Sequence, residues 1–307
     1  MGFIVRRTIS AVPVVIAVSF IVFGMIFLAG DPAVLMMPPE ATVEDIAAFR
    51  HAYGFDDPFI VQYGRFLGKA LRGDLGKSLR YNESALELVL QRLPATLQLS
   101  GFSMLFATLI ALPLGILSAL RRNSWADYVA SVFAVIGQSM PNYWLGFLLV
   151  YLIAVKWHLL PTSGGPGLEF VILPAVTIAM AVMALITRMV RSTMLEVLSE
   201  DYVRTARAKG LRESAVILGH ALRNALLPVI TIVALQFGHI LGGAVVVETI
   251  FAWPGLGLLT INAIYGRDYP VVQASVFFLS ISFVLINLIV DISYQLLDPR
   301  VRQGSSR

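Results

Sequence analysis

Few residues of this 307-residue chain are of types that carry covalent chemistry, and none is spaced for it. Its four histidines, His51, His158, His220 and His239, are scattered and lack the spacing of a tetrahedral metal site. There is no cysteine, so thiolate chemistry and disulfides are excluded and the redox compartment cannot be read. No serine occupies a G-x-S-x-G turn. Gly76, Lys77 and Ser78 imitate the end of a phosphate-binding loop, but that loop needs a glycine where Leu71 stands, so nucleotide binding is rejected. What remains is electrostatic. Arg204, Arg207, Lys209 and Arg212 concentrate positive charge in a largely polar stretch, residues 196–228, with long apolar runs on both sides.

The elements that hold this stretch follow from composition. The chain is 57% hydrophobic and only 14% charged, with a mean hydropathy of +0.79. Soluble domains carry about a quarter charged residues, so this is a polytopic membrane protein. A net charge of +4 and a pI near 9.4 invite a nucleic-acid reading. The basic residues instead cluster in loops beside apolar runs, which is the pattern of membrane orientation, and no nucleic-acid partner is expected. Apolar runs at residues 9–29, 95–120, 129–154, 171–190, 229–250 and 271–297 are each long enough to cross a bilayer. The first exceeds the apolar core of a cleaved signal peptide and is read as a retained helix; the Arg6-Arg7 pair is too weak for an export signal. Six spans put both termini on one side. The short loops opposite the N-terminus hold only Lys156 and Arg267, so the termini and residues 196–228 face the cytoplasm.

Inside that stretch, residues 196–209 are good helix formers and Gly210 stands where a left-handed helix end is least costly. A second helical run from Arg212 ends at Pro228, which is expected to open the next helix. Two helices joined at a glycine make a rigid knob; the plainer reading is an amphipathic surface loop. Thr42 is expected to cap a helix over residues 43–52. Gly115, Gly137 and Gly146, with Pro113 and Pro141, interrupt spans two and three, and Gly238 and Gly242 are spaced for close helix contact. His239 is the titratable group deepest in a span. With Gln236 it is a candidate for a polar translocation path, against the plainer reading of a hydrogen-bonded packing histidine. Glu248 and Asp291 lie towards the ends of their spans. Trp253 and Tyr269 are placed as interfacial aromatics, and Pro254, Gly255 and Gly257 predict a sharp or re-entrant turn.

The run D-Y-V-R-T-A-R-A-K-G, residues 201–210, followed by H-A-L-R-N-A-L-L-P, residues 220–228, resembles the cytoplasmic coupling loop of permease subunits of bacterial ABC importers, in its peptide/nickel branch. It departs from the general form of that loop, with Arg204, Thr205 and Ala206 where an acidic residue and two alanines are usual, and His220, Leu222 and Arg223 where an isoleucine and Leu-Pro are usual. D-P-A at residues 31–33, G-D-L-G-K-S at 73–78, the stretch at 248–259, R-D-Y-P-V-V-Q-A from Arg267 and D-P-R at 298–300 extend the likeness over nearly the whole chain.

The resemblance implies an all-α type I permease fold in the bacterial inner membrane. Residues 1–30 would be an N-terminal span, 31–94 an extracytoplasmic insertion, 95–297 a five-helix core with the loop 196–228, and 298–307 a cytoplasmic tail. It also implies a second permease subunit in a heterodimer, two ATP-binding subunits and a periplasmic or lipid-anchored solute-binding protein. ATP and Mg would sit on those partners, with no cofactor in this chain. Arg204, Ala206, Arg207, Lys209 and Gly210 are the expected coupling residues, and peptides or related small solutes the expected cargo. A self-contained secondary carrier is the alternative, disfavoured because span centres are nearly free of ionisable groups. A membrane enzyme or scaffold is the third.

Overall fold

A computed structural model describes residues 2–37, 40–163, 165 and 167–297 of the chain. Among these the secondary structure is helical, apart from one isolated bridge between Lys77 and Ser84. In order the helices are α1 (Gly2–Ala29), α2 (Pro32–Met36), α3 (Val43–Tyr53), α4 (Phe59–Ala70), α5 (Ala85–Leu120), α6 (Trp125–Ser139) and α7 (Asn142–Leu149). A π-helical segment, Val150–Lys156, continues α7. Then come α8 (Glu169–Leu198), α9 (Asp201–Ala208), α10 (Glu213–Ala215), a second π segment, Val216–Ala221, α11 (Leu222–Ile250), α12 (Leu256–Tyr265) and α13 (Tyr269–Leu297). The D-P-R motif and the expected tail lie outside the described residues.

Helices α5, α8 and α13, and the continuous run Glu213–Ile250, are long and apolar enough to cross a membrane. With α1 and the α6–α7 pair they make the six expected crossings. The boundaries differ from the sequence reading in three places. Span three breaks at Met140 and Pro141, because a proline disfavours helical backbone in the residue before it; Met140 is extended. Pro228 lies inside α11 instead of opening a helix. Residues 199 and 200 separate α8 from α9, so the first helix of the polar stretch is only eight residues long.

Thr42 caps α3 as expected. Its hydroxyl accepts from Asp45 N–H at 3.2 Å while the Asp45 carboxylate accepts from Thr42 N–H at 3.1 Å, satisfying two orphan donors reciprocally.

The chain divides into two units. One runs to Thr96 and adds Pro254–Leu288; the other begins at Leu97, runs to Trp253 and resumes at Ile289. In the first unit, Phe59, Tyr63 and Phe66 form one stripe of α4 at i, i+4 and i+7, and they meet Phe20 and Phe23 of α1 at ring separations of 5.1–5.8 Å. Leu75, Leu88 and Val89 pack with Leu256, Leu259 and Val271. The sharp turn expected around Pro254 leads directly into α12. Gly255 precedes that helix and has no capping side chain, so Thr96 Oγ1 of α5 accepts from Leu256 N–H at 2.7 Å.

In the second unit α6, α7 and α11 pack against α8, whose Ile186, Val190 and Met194 are fully buried. Glycines set the close approaches. A Cβ on Gly115 would lie 2.6 Å from Val190 Cβ and 2.8 Å from the Thr187 carbonyl; one on Gly137 would lie 3.1 Å from the Met180 carbonyl. Gly242 differs, since a Cβ there meets nothing within 4 Å among the described residues.

Candidate coupling segment and path residues

The polar stretch folds as a helical knob with a core of its own. α9 is amphipathic, and its Val203 and Ala206 are buried against Val216, with Val197 and Leu198 packed around them. At Gly210 the chain takes φ +75°, the left-handed conformation expected there, and a Cβ on it would meet nothing within 4 Å among the described residues. Glycine is therefore required by the backbone and not by crowding. Arg212 then turns extended and α10 begins. Tyr202 Oη accepts from Asn224 Nδ2 at 2.8 Å, tying α9 to the first turn of α11.

Besides Gly210, the four other residues expected to couple sit in three different settings. Arg204 and Lys209 are exposed; Arg204 makes an open 3.3 Å contact with Asp201, with 70% of its side chain accessible. Arg207 is committed within the chain, its Nε and Nη2 donating to the two Glu213 carboxylate oxygens at 3.2 and 2.7 Å. That fork bridges the Gly210 turn and holds the Glu213 carboxyl below its ordinary range, chiefly by the hydrogen bonds from Arg207. Ala206 faces inward, buried with Val203 and Val216 in the core of the knob. Leu211 and Leu218 add exposed apolar area beside the cations.

Gln236 and His239 lie three residues apart on α11, Gln236 half-buried and His239 exposed. Neither is hydrogen-bonded to another side chain among the described residues. Glu248, near the outer end of α11, is fully buried.

Two polar centres were not foreseen. Asp127 at the start of α6 accepts from Arg191 Nε at 2.7 Å and Nη2 at 2.8 Å, from Asn123 N–H at 3.0 Å, and from the Ser118 hydroxyl. It joins α5, α6 and α8 through one buried carboxylate. The signal was slight: a polar Asn-Ser turn ahead of an apolar run, with Asn123 at φ +60°. Asp268 likewise is buried and accepts from the Ser78 hydroxyl and from Leu79 N–H at 3.2 Å. It thereby unites G-D-L-G-K-S with R-D-Y-P, two motifs singled out separately from sequence. The lysine and serine of the apparent phosphate loop are thus parts of a hairpin.

A family model described as "Binding-protein-dependent transport system inner membrane component" matches residues 111–303, and one described as the N-terminal membrane component of such systems matches residues 1–100. A glutathione transport system permease protein of Salmonella paratyphi A is 42% identical over 303 residues, covering 98% of this chain and 99% of that protein. Its counterpart in Escherichia coli K12 is 40% identical over the same coverage. Among solved structures, an inward-facing form of the MetNI methionine ABC transporter aligns with a TM-score of 0.59 at 20% identity, covering 69% of this chain and 96% of that one. An amino acid ABC transporter aligns at 0.50 and 16%, covering 68% and 94%. These two share the fold.

Proposed function

The chain belongs to the family of inner membrane components of binding-protein-dependent transport systems, and from that membership we propose that it supplies half of a translocation path whose driving ATP hydrolysis occurs on separate subunits. The observation that carries this reading is the cytoplasmic knob: a self-packed helix–glycine–helix element that leaves Arg204 and Lys209 exposed on its surface. A loop with no partner has no need of a private core and a bidentate brace.

Two ATP-binding subunits, a second permease and an extracytoplasmic solute-binding protein complete the assembly, with ATP and Mg on the partners. Closure of the ATPase pair moves the knob as a rigid body, and the helices that α11 and α8 contribute rock between inward- and outward-open arrangements. Arg204 and Lys209 meet acidic or carbonyl groups of the ATPase; Gly210 sets the angle between α9 and α10; Arg207 and Ala206 keep the knob stiff. Gln236 and His239 line the path. The cargo is a small peptide or related solute, as with the glutathione that the relatives' names print. Family membership counts against a self-contained carrier.

Gly210→Pro tests the coupling. Proline cannot take φ +75°, so the expected result in proteoliposomes is assembled complexes without solute-stimulated ATP hydrolysis or uptake. Gly210→Ala is expected to retain part of both, since one left-handed alanine costs roughly 1–2 kcal/mol. Undiminished stimulation in assembled Gly210→Pro complexes would refute the role of the knob.

A further inference from the structure

Between the inner ends of α5 and α6 lies an open apolar groove of about 470 Å³, lined on one side by Ile110, Leu114 and Leu117 and on the other by Trp125, Val129 and Phe133. We propose that it is a specific site for an anionic phospholipid of the cytoplasmic leaflet, with one acyl chain in the groove and its phosphate held by Arg121 and Arg122. Nothing in the coupling mechanism uses these residues.

Three observations carry the assignment. First, register: Ile110, Leu114, Leu117 and Arg121 follow at four, three and four residues, so they share one face of α5, and Arg121 N–H still bonds the Leu117 carbonyl at 3.0 Å. The groove therefore runs from apolar side chains straight to a cation. Second, charge: Arg121 and Arg122 are exposed and form no ion pair among the described residues. The nearest acidic side chain in sequence, Asp127, is already consumed by Arg191, Ser118 and Asn123 N–H. A dibasic turn one helical turn beyond the groove's Leu117, with no ion pair among the described residues, attracts an anion. Third, depth: the loop after α5 is cytoplasmic by the distribution of basic residues, and that leaflet carries the negative surface potential. Trp125 is largely exposed at the groove's mouth with Tyr128 stacked on it at 5.8 Å, the headgroup-level position of an aromatic anchor. A free phosphate would satisfy the arginines but leave the groove without an occupant. A chain-bearing phosphate fits both.

The test uses the assembled importer in proteoliposomes and the fluorescence of Trp125 itself, obtained as the difference between the wild-type chain and Trp125→Phe. Dibrominated phosphatidylglycerol or dibrominated phosphatidylcholine is titrated into an unbrominated phosphatidylcholine background. The expected result is half-maximal quenching of the Trp125 component at roughly a thirtieth of the mole fraction for phosphatidylglycerol, as two surface arginines imply. In Arg121→Gln/Arg122→Gln that preference is expected to vanish while quenching by phosphatidylcholine persists. Equal quenching by both lipids in the wild-type chain would reduce the groove to ordinary lipid-facing surface. Absence of any Trp125 quenching would mean that a protein subunit covers it. Either result overturns the proposal.

Discussion

Single residues in this chain matter through what they hold. Asp127 is the strongest case: a buried carboxylate with a bidentate arginine and two further donors. Removing one partner of a buried pair strands the other charge at a cost of about 3–5 kcal/mol. Asp127→Ala is therefore expected to lower the thermal unfolding midpoint of the detergent-solubilised importer markedly, and the exchange Asp127→Arg with Arg191→Asp to recover part of the loss. Failure of Arg191→Ala to destabilise would show that the pair is incidental. Arg207 and Glu213 form the exposed counterpart, and surface pairs contribute little to global stability. Because Glu213 is held below its ordinary range, the pair's contribution is complete above that range and is lost only as pH falls through the depressed value. It stays formed at neutral pH. The left-handed turn at Gly210 was legible from sequence because glycine after a helix-forming run has one backbone meaning. The inward face of Ala206 was not, because an alanine carries no polarity to mark its side.

At the level of elements, sequence periodicity located the crossings and the capped helix α3, while neighbours decided where they begin and break. α5 starts at Ala85, earlier than the expected 95, because Ala85, Leu88 and Val89 are buried in a core shared with α12 and α13. The approach of α5 to α8 rests on Gly115, where an added side chain would strike both Val190 and the Thr187 carbonyl. Gly115→Val is expected to destabilise by about 1–3 kcal/mol or more, as overpacking does. Adding Val190→Ala should recover only part, because the backbone carbonyl cannot retreat; the comparison is read from the unfolding midpoints of the two variants. Complete recovery in the double variant would place the strain in the side chain alone. Gly242 looked equivalent in sequence and is open in the structure, which shows that small-residue spacing marks where a helix can be approached and leaves open whether it is.

For the molecule as a whole, topology is open to a direct check, since the chain has no cysteine to confuse labelling. Cysteines placed at the exposed Arg204 and at the exposed Arg80 are expected to react with a membrane-impermeant maleimide from opposite sides. Arg80→Cys should label in intact spheroplasts, and Arg204→Cys only after the membrane is opened. Labelling of both from one side would contradict the orientation on which the coupling reading depends. The primary sequence alone determined that the chain lies in a membrane, how many times it crosses, which loops face inward and where its basic knob sits. Each of these follows from local hydropathy and charge within a run of residues. Only tertiary structure decided that Asp127 meets Arg191 across 64 positions and that Ser78 meets Asp268 across 190. It alone also decided that Ala206 turns inward and that two helices frame an apolar groove beside Arg121. Those pairings are contacts between distant segments, and buried polar groups find their partners through packing geometry that no short stretch of sequence encodes.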